Sequence, residues 1–139
     1  MGKGKILIVD DDDGVREMLA DFFGVIGYQS IVAANGREAL GLLEQQDVSL
    51  VISDIKMPVM DGIQMLKKIK KEHPDLDVIL ITGYEPDYSR DSVKEAGASD
   101  YICKPFNIEV IERKVRSLMD KRNARSDTGK RNERRANAG

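Results

Sequence analysis

The sequence predicts an α/β protein in which a five-stranded parallel sheet is sandwiched between helices. Two observations carry the prediction. Short apolar runs of strand length recur at residues 6–9, 30–34, 50–52, 78–81 and 101–103, and each is followed by a stretch with helical spacing. Strands that alternate with helices in this way pair in parallel through right-handed crossovers, with helices covering both faces of the sheet.

Taken in order, Ile6-Leu7-Ile8-Val9 is apolar at every position, which suits a strand buried on both faces and therefore a central one. Val15, Met18, Leu19, Phe22, Phe23 and Ile26 then form one apolar stripe that closes at Gly27, a suitable helix end. The second strand is approached through Tyr28-Gln29-Ser30, polar enough for a sheet edge. Asn35 followed by Glu38 has a capping-box pattern, extended to Asn, ahead of Ala39, Leu40, Leu42 and Leu43. Asp61 with Gln64 opens a third helix carrying Ile63, Leu66 and Ile69, which ends before Pro74. A fourth, over about 87–96, is poorly apolar apart from Val93 and Ala96 and stops at Gly97. The fifth starts at Asn107 and carries Ile108, Ile111, Val115 and Leu118. Its spacing would also suit a coiled-coil seam, but a seam needs about three heptads and this stripe stops at Met119.

A length of 139 residues predicts one domain, and 41% hydrophobic residues suffice for a core. No apolar run approaches the ~18 residues that a membrane-spanning helix needs. Residues 1–5 lead straight into four apolar residues, too few for a secretion signal, so the expected location is cytoplasmic. A lone Cys103 excludes an internal disulfide. Together with a lone His73 it also excludes zinc-finger spacing, histidine metal clusters and histidine-dependent nucleophile triads. The net charge of -2 hides a split, with 15 Lys+Arg against 22 Asp+Glu in residues 1–120 and 7 against 2 in residues 121–139. An acidic body of this kind is not expected to bind nucleic acid, which requires clustered Lys and Arg. Beyond Lys121 there is no Ile, Leu, Val or aromatic residue, so the domain is read as 4–121 and residues 122–139 as a basic disordered tail or linker.

Ligands of an open parallel sheet bind beyond the carboxyl ends of its strands. Asp10, Asp11, Asp12 and Asp13 stand at the end of strand one, Asp54 at the end of strand three, Thr82 at the end of strand four, and Lys104-Pro105 after strand five. Converging carboxylates raise one another's pKa unless a cation sits among them, and a hard divalent ion such as magnesium suits an oxygen donor set. Three charges from Asp10, Asp11 and Asp54 balance a divalent metal plus Lys104. If Asp54 is a nucleophile, its charge is replaced by a phosphoryl group of about -2. The excess calls for new hydrogen-bond donors, and Thr82 is the hydroxyl at hand.

The segments ILIVDDDD, SDIKMPVMDG, ILITG and YICKPF, in that order and spacing, resemble the receiver domain of two-component response regulators over roughly residues 4–121. The resemblance implies a doubly wound, flavodoxin-like sheet of order 2-1-3-4-5 flanked by five helices. It implies a phosphorylation-dependent switch of a signal-transduction phosphorelay, with Asp54 accepting a phosphoryl group from the phosphohistidine of a sensor histidine kinase or phosphotransfer protein. By the same resemblance Asp10, Asp11, Asp54 and the backbone carbonyl of Lys56 hold Mg2+. Thr82 and Lys104 contact the phosphoryl group, and Tyr101 is the aromatic switch residue. Lys104-Pro105 is then a cis bond. Such a phosphoprotein catalyses only its own phosphorylation and dephosphorylation. Its output passes either through an unknown partner or through a C-terminal effector domain, with a homodimer left open and no role for a membrane. Asp13 departs from the family pattern, which often has Pro there, but an acid at a helix start is favourable.

Other readings compete. Asp12 and Asp13 suit the first turn of a helix better than a metal, and Asp61 suits an N-cap. His73 is read as a solvent-exposed helix end, Cys103 as a small strand residue, and Met57-Pro58 with Met60 as loop packing. A rival enzyme, an aspartyl phosphatase of the haloacid dehalogenase type, would use Asp10 and Asp12 as its D-x-D pair, but no acidic pair at a strand end follows Lys104. A flavodoxin-like cofactor binder would not place four aspartates at its phosphate loop. By the resemblance, Lys56 and Tyr84 flank the path of the water that hydrolyses the acyl phosphate. Their bulk predicts a long-lived phosphoprotein.

Overall fold

The computed structural model describes residues 4–83 and 90–122. Five parallel strands, β1 (Lys5–Val9), β2 (Gln29–Ala33), β3 (Leu50–Asp54), β4 (Asp77–Thr82) and β5 (Asp100–Cys103), form one sheet in the order β2-β1-β3-β4-β5. Between them run α1 (Asp13–Val25), α2 (Gly36–Gln45), α3 (Gly62–Glu72) and α4 (Arg90–Glu95), and α5 follows over residues 108–122. This is the doubly wound, flavodoxin-like arrangement, with β1, apolar at four successive positions, inside the sheet and β2 at its edge. Residue 122, read as tail, is still helical. The tail beyond it, Tyr84, and the start expected for the fourth helix lie outside the described residues.

Alternation along the strands sorts the core into two layers. Leu7, Val9, Val51, Val78 and Leu80 face Ala39 and Leu43 of α2, Met65, Leu66 and Ile69 of α3, and Val93 of α4. Ile6, Ile8, Leu50, Ile52, Ile79, Ile81 and Ile102 face Leu19 and Phe23 of α1 and Ile111, Val115 and Met119 of α5. Each fully buried large side chain among these contributes about 1.5–3 kcal/mol relative to exposure. The apolar stripe of α1 is narrower than its spacing predicts. Leu19 and Phe23 are buried, whereas Met18 lies on the rim, 45% exposed.

The helix ends follow from named residues. At the end of α1, Gly27 has φ 99°, a conformation that spares a residue without Cβ. It lets Tyr28 N–H reach Phe23 O at 2.9 Å and Gly27 N–H reach Gly24 O at 3.2 Å, while the rings of Tyr28 and Phe23 meet edge to face. Asp61 and Gln64 form the reciprocal capping box of α3. Asn35 caps α2 through Glu38 N–H, but the Glu38 carboxylate reaches back to Ala34 N–H instead of to Asn35. His73 caps the C-terminus of α3. It is half-buried, not solvent-exposed, because Pro74 turns the chain and Leu76 N–H returns to His73 O.

Candidate functional site

β1 and β3 are neighbours, so their carboxyl ends bring Asp10 and Asp54 side by side. Asp10 N–H donates to Ala33 O at 3.1 Å, which extends the pairing with β2 by one residue and buries Asp10. Its Oδ1 accepts from Asp12 N–H at 2.9 Å. Asp12 is the N-cap of α1, its Oδ1 accepting from Gly14 and Val15, whereas Asp13 is the first helical residue. The expectation that both lie in the first turn therefore holds for Asp13, and Asp12 stands one position outside it.

Asp54, the last residue of β3, is also buried, and Lys104 reaches it from beyond β5, Nζ donating to Oδ2 at 2.9 Å. Lys104 N–H is itself tied to Thr82 O at 2.7 Å. One carboxylate oxygen each of Asp10, Asp11 and Asp54 lie within 4.8 Å of one another, Asp11 being the exposed member. Burial pushes the Asp10 carboxyl from its ordinary 3.8 up to about 6. The Asp12 N–H opposes the rise, and the charges of Asp54 and Asp11 add to it. Burial alone would lower the Lys104 ammonium, but the hydrogen bond and charge of Asp54 carry it above its usual range.

Among the described residues, Asp10 Oδ2 is the one buried side-chain polar atom without a hydrogen-bond partner. A buried carboxylate oxygen left unpaired among two further carboxylates is costly, and a hard cation with oxygen ligands is the group whose chemistry relieves it. The donor set therefore fits Mg2+.

The remaining sequence candidates spread around this centre. Thr82 ends β4 and is buried, and its hydroxyl donates to Gly83 O at 3.0 Å. Lys56 lies two residues beyond β3 and is exposed. Tyr101, on β5, is half-buried against the layer beneath α2 and α3. Cys103 is exposed at the end of β5, and Lys104-Pro105 is cis. Met57 and Met60 pack against the core, as loop packing predicts. Between them Met60 N–H bonds to Pro58 O at 2.8 Å around Val59, which takes φ 71° and is 73% exposed.

Gly62 carries a role that the sequence reading missed. A Cβ there would stand 2.4 Å from Asp54 O and 2.9 Å from Ile55 Cα, and Gly62 N–H donates to Ile55 O at 2.7 Å. The start of α3 thus rests directly on the backbone that carries Asp54. The available signal was a glycine, a poor helix former, placed immediately after an N-cap.

This strand order, with acids after the first and third strands facing a lysine after the fifth, defines a doubly wound α/β domain with an acidic centre at the carboxyl edge of its sheet. The family model described as "Response regulator receiver domain" matches residues 6–116, and the chain belongs to that family. It is 42% identical over 116 residues to the Bacillus subtilis sporulation initiation phosphotransferase F, covering 83% of this chain and 93% of that one. It is 37% identical over 119 residues to the probable transcriptional regulator ycf27 of Porphyridium aerugineum, covering 86% of this chain and 49% of that protein. The chain thus spans about half the length of several curated relatives it matches. Among solved structures, the response regulator protein TrrA of Thermotoga maritima, in complex with Mg2+ and BeF, superposes with a TM-score of 0.75 at 36% identity, covering 83% of this chain and 98% of that one. Among the described residues no helix is long and apolar enough to cross a membrane.

Proposed function

We propose that this receiver domain is a Mg2+-dependent switch that takes a phosphoryl group onto Asp54 from the phosphohistidine of a sensor histidine kinase or phosphotransfer protein. The observation that carries the reading is the convergence of Asp10, Asp11 and Asp54 with Lys104 on Asp54 Oδ2. With Oδ2 held by Lys104, Oδ1 attacks phosphorus. The P–N bond of the donor breaks, its electron pair returns to the imidazole nitrogen, and an acyl phosphate forms. Asp10, Asp11, Asp54 and the Lys56 carbonyl would hold the metal, which offsets negative charge on the phosphoryl oxygens when bound.

The switch follows from Thr82. Its hydroxyl donates to Gly83 O, and a phosphoryl group on Asp54 offers a more strongly charged acceptor. Inverting a 1:99 population takes about 5.5 kcal/mol, more than one neutral hydrogen bond supplies. Thr82, Lys104 and Tyr101 therefore change together. The Asp12 carboxylate is engaged in capping α1, which supports a self-modifying switch over a D-x-D phosphatase, so the chain catalyses only its own phosphorylation and dephosphorylation. We place it in the cytoplasm. It signals either through a partner or through an effector domain beyond the region shared with its longer relatives. Incubation with a small-molecule phosphodonor and Mg2+ should label wild type once, at Asp54, and leave Asp54→Asn unlabelled. Stoichiometric labelling of that variant at another residue, or many turnovers on an aryl phosphate, would overturn the assignment.

A further inference from the structure

Arg16 sits in the first turns of α1 and has no part in the roles given so far. Its Nη1 donates to the backbone carbonyl of Asp10 at 2.5 Å, and its Nη2 engages the Asp13 carboxylate. The two contacts differ in kind. The Asp13 side chain is 84% exposed, so that pair is a weak surface one, whereas the Arg16 side chain is only 15% exposed and carries its charge to the point where β1 ends.

That carbonyl belongs to the peptide unit joining Asp10 to Asp11. The unit is planar, so holding its oxygen also fixes the nitrogen of Asp11 and the direction in which the Asp11 Cα departs. Asp10 N–H is anchored on Ala33 O, Asp10 Oδ1 on Asp12 N–H and Asp10 O on Arg16. Three anchors, one at the end of β2 and two at the start of α1, hold one residue, and the oxygen they leave unpartnered is the buried Oδ2 of a carboxylate that clusters with Asp11 and Asp54. We infer that Arg16 is a positioning residue for the cation site, pinning the Asp10-Asp11 peptide so that both carboxylates converge with Asp54. The inference rests on reading that cluster as a Mg2+ site.

Its consequence is ion discrimination. Mg2+ demands near-octahedral ligands at short distances, while Ca2+ tolerates longer bonds and irregular geometry. A pinned pair of carboxylates favours Mg2+, and a loosened pair loses Mg2+ affinity first. Electrostatics alone predicts the opposite sign, since deleting a cation near a cation site strengthens binding of both ions.

The test is calorimetric titration of the full chain with Mg2+ and, separately, with Ca2+, for wild type, Arg16→Met and Arg16→Lys. Methionine keeps the apolar stem and removes the guanidinium. Arg16→Met should weaken Mg2+ by about tenfold, as loss of an outer-shell partner does, with Ca2+ changing by less than about twofold. Arg16→Lys should recover part of the loss, and it carries the comparison on its own if Arg16→Met fails to fold. Unchanged or tighter Mg2+ binding in the folded variants, or equal losses for both ions, would overturn the positioning role and leave the site reading intact. A wild type that does not bind Mg2+ would overturn the site reading and the inference with it.

Discussion

Replacing Asp10 by Asn should stabilise the metal-free fold, and by an amount that depends on pH. Burial raises the Asp10 carboxyl from 3.8 to about 6. Between those two values the native chain binds a proton that the unfolded chain does not, so stability falls as pH climbs through that window. Below 3.8 the penalty is absent, and above 6 it is complete. At about 1.36 kcal/mol per tenfold change in proton affinity, the complete penalty is about 3 kcal/mol. Asparagine keeps the acceptor for Asp12 N–H and carries no charge. Asp10→Asn should therefore exceed wild type by about 3 kcal/mol at pH 8 and by only about 1 kcal/mol at pH 4.5. Urea denaturation in chelator reads this directly, because urea slopes of about 1–3 kcal/mol/M turn 3 kcal/mol into a midpoint shift of about 1–3 M. Saturating Mg2+ should narrow or reverse the gap, since ligand binding to the native state stabilises wild type more than the variant. An advantage that stays constant from pH 4.5 to 8, or a wild type at least as stable at pH 8 in chelator, would refute the argument that Asp10 ionisation is what strains the site.

Gly62→Ala should cost about 2–3 kcal/mol, because its Cβ meets strand backbone at 2.4 Å and backbone does not yield as a side chain does; a urea midpoint within error of wild type would contradict the contact. Val59→Gly should raise stability by about 1 kcal/mol, relieving a β-branched residue at φ 71° at some cost in chain entropy; thermal melting decides the sign. Asp11→Ala should markedly weaken Mg2+ binding while Asp13→Ala, which removes an exposed residue already in the helix, should change it little; equal losses in a titration would show that the ligands are misplaced.

The parts of this structure that repeat a simple pattern were readable from residues alone. Ile6 to Val9 announce an interior strand because nothing polar interrupts them, and Asp61 with Gln64 announce a helix start because both halves of the box lie within four residues. The acidic centre was also readable, since strand ends in a parallel sheet all meet at one edge. What escaped depends on distances that sequence does not encode. The Glu38 carboxylate bonds Ala34 N–H rather than Asn35, and His73 is half-buried where Leu76 N–H returns to its carbonyl. The close approach of Gly62 to Asp54 and the anchoring of Arg16 on the Asp10 carbonyl join segments whose proximity exists only once helix and sheet have docked.

The bond between Lys104 and Asp54 spans fifty positions of the chain, and it draws on the third and fifth strands of a sheet whose order is not the order of synthesis. Pairing of β1 with β3 alone brings the acidic groups together, so until the last strand is laid down a partly assembled domain carries their mutual repulsion without its counter-charge. Contacts so distant in sequence form late, after most of the loop entropy has been lost. The relief that Lys104 brings to the acidic site therefore belongs to the finished molecule. It is expected to act on how fast the domain comes apart more than on how fast it assembles.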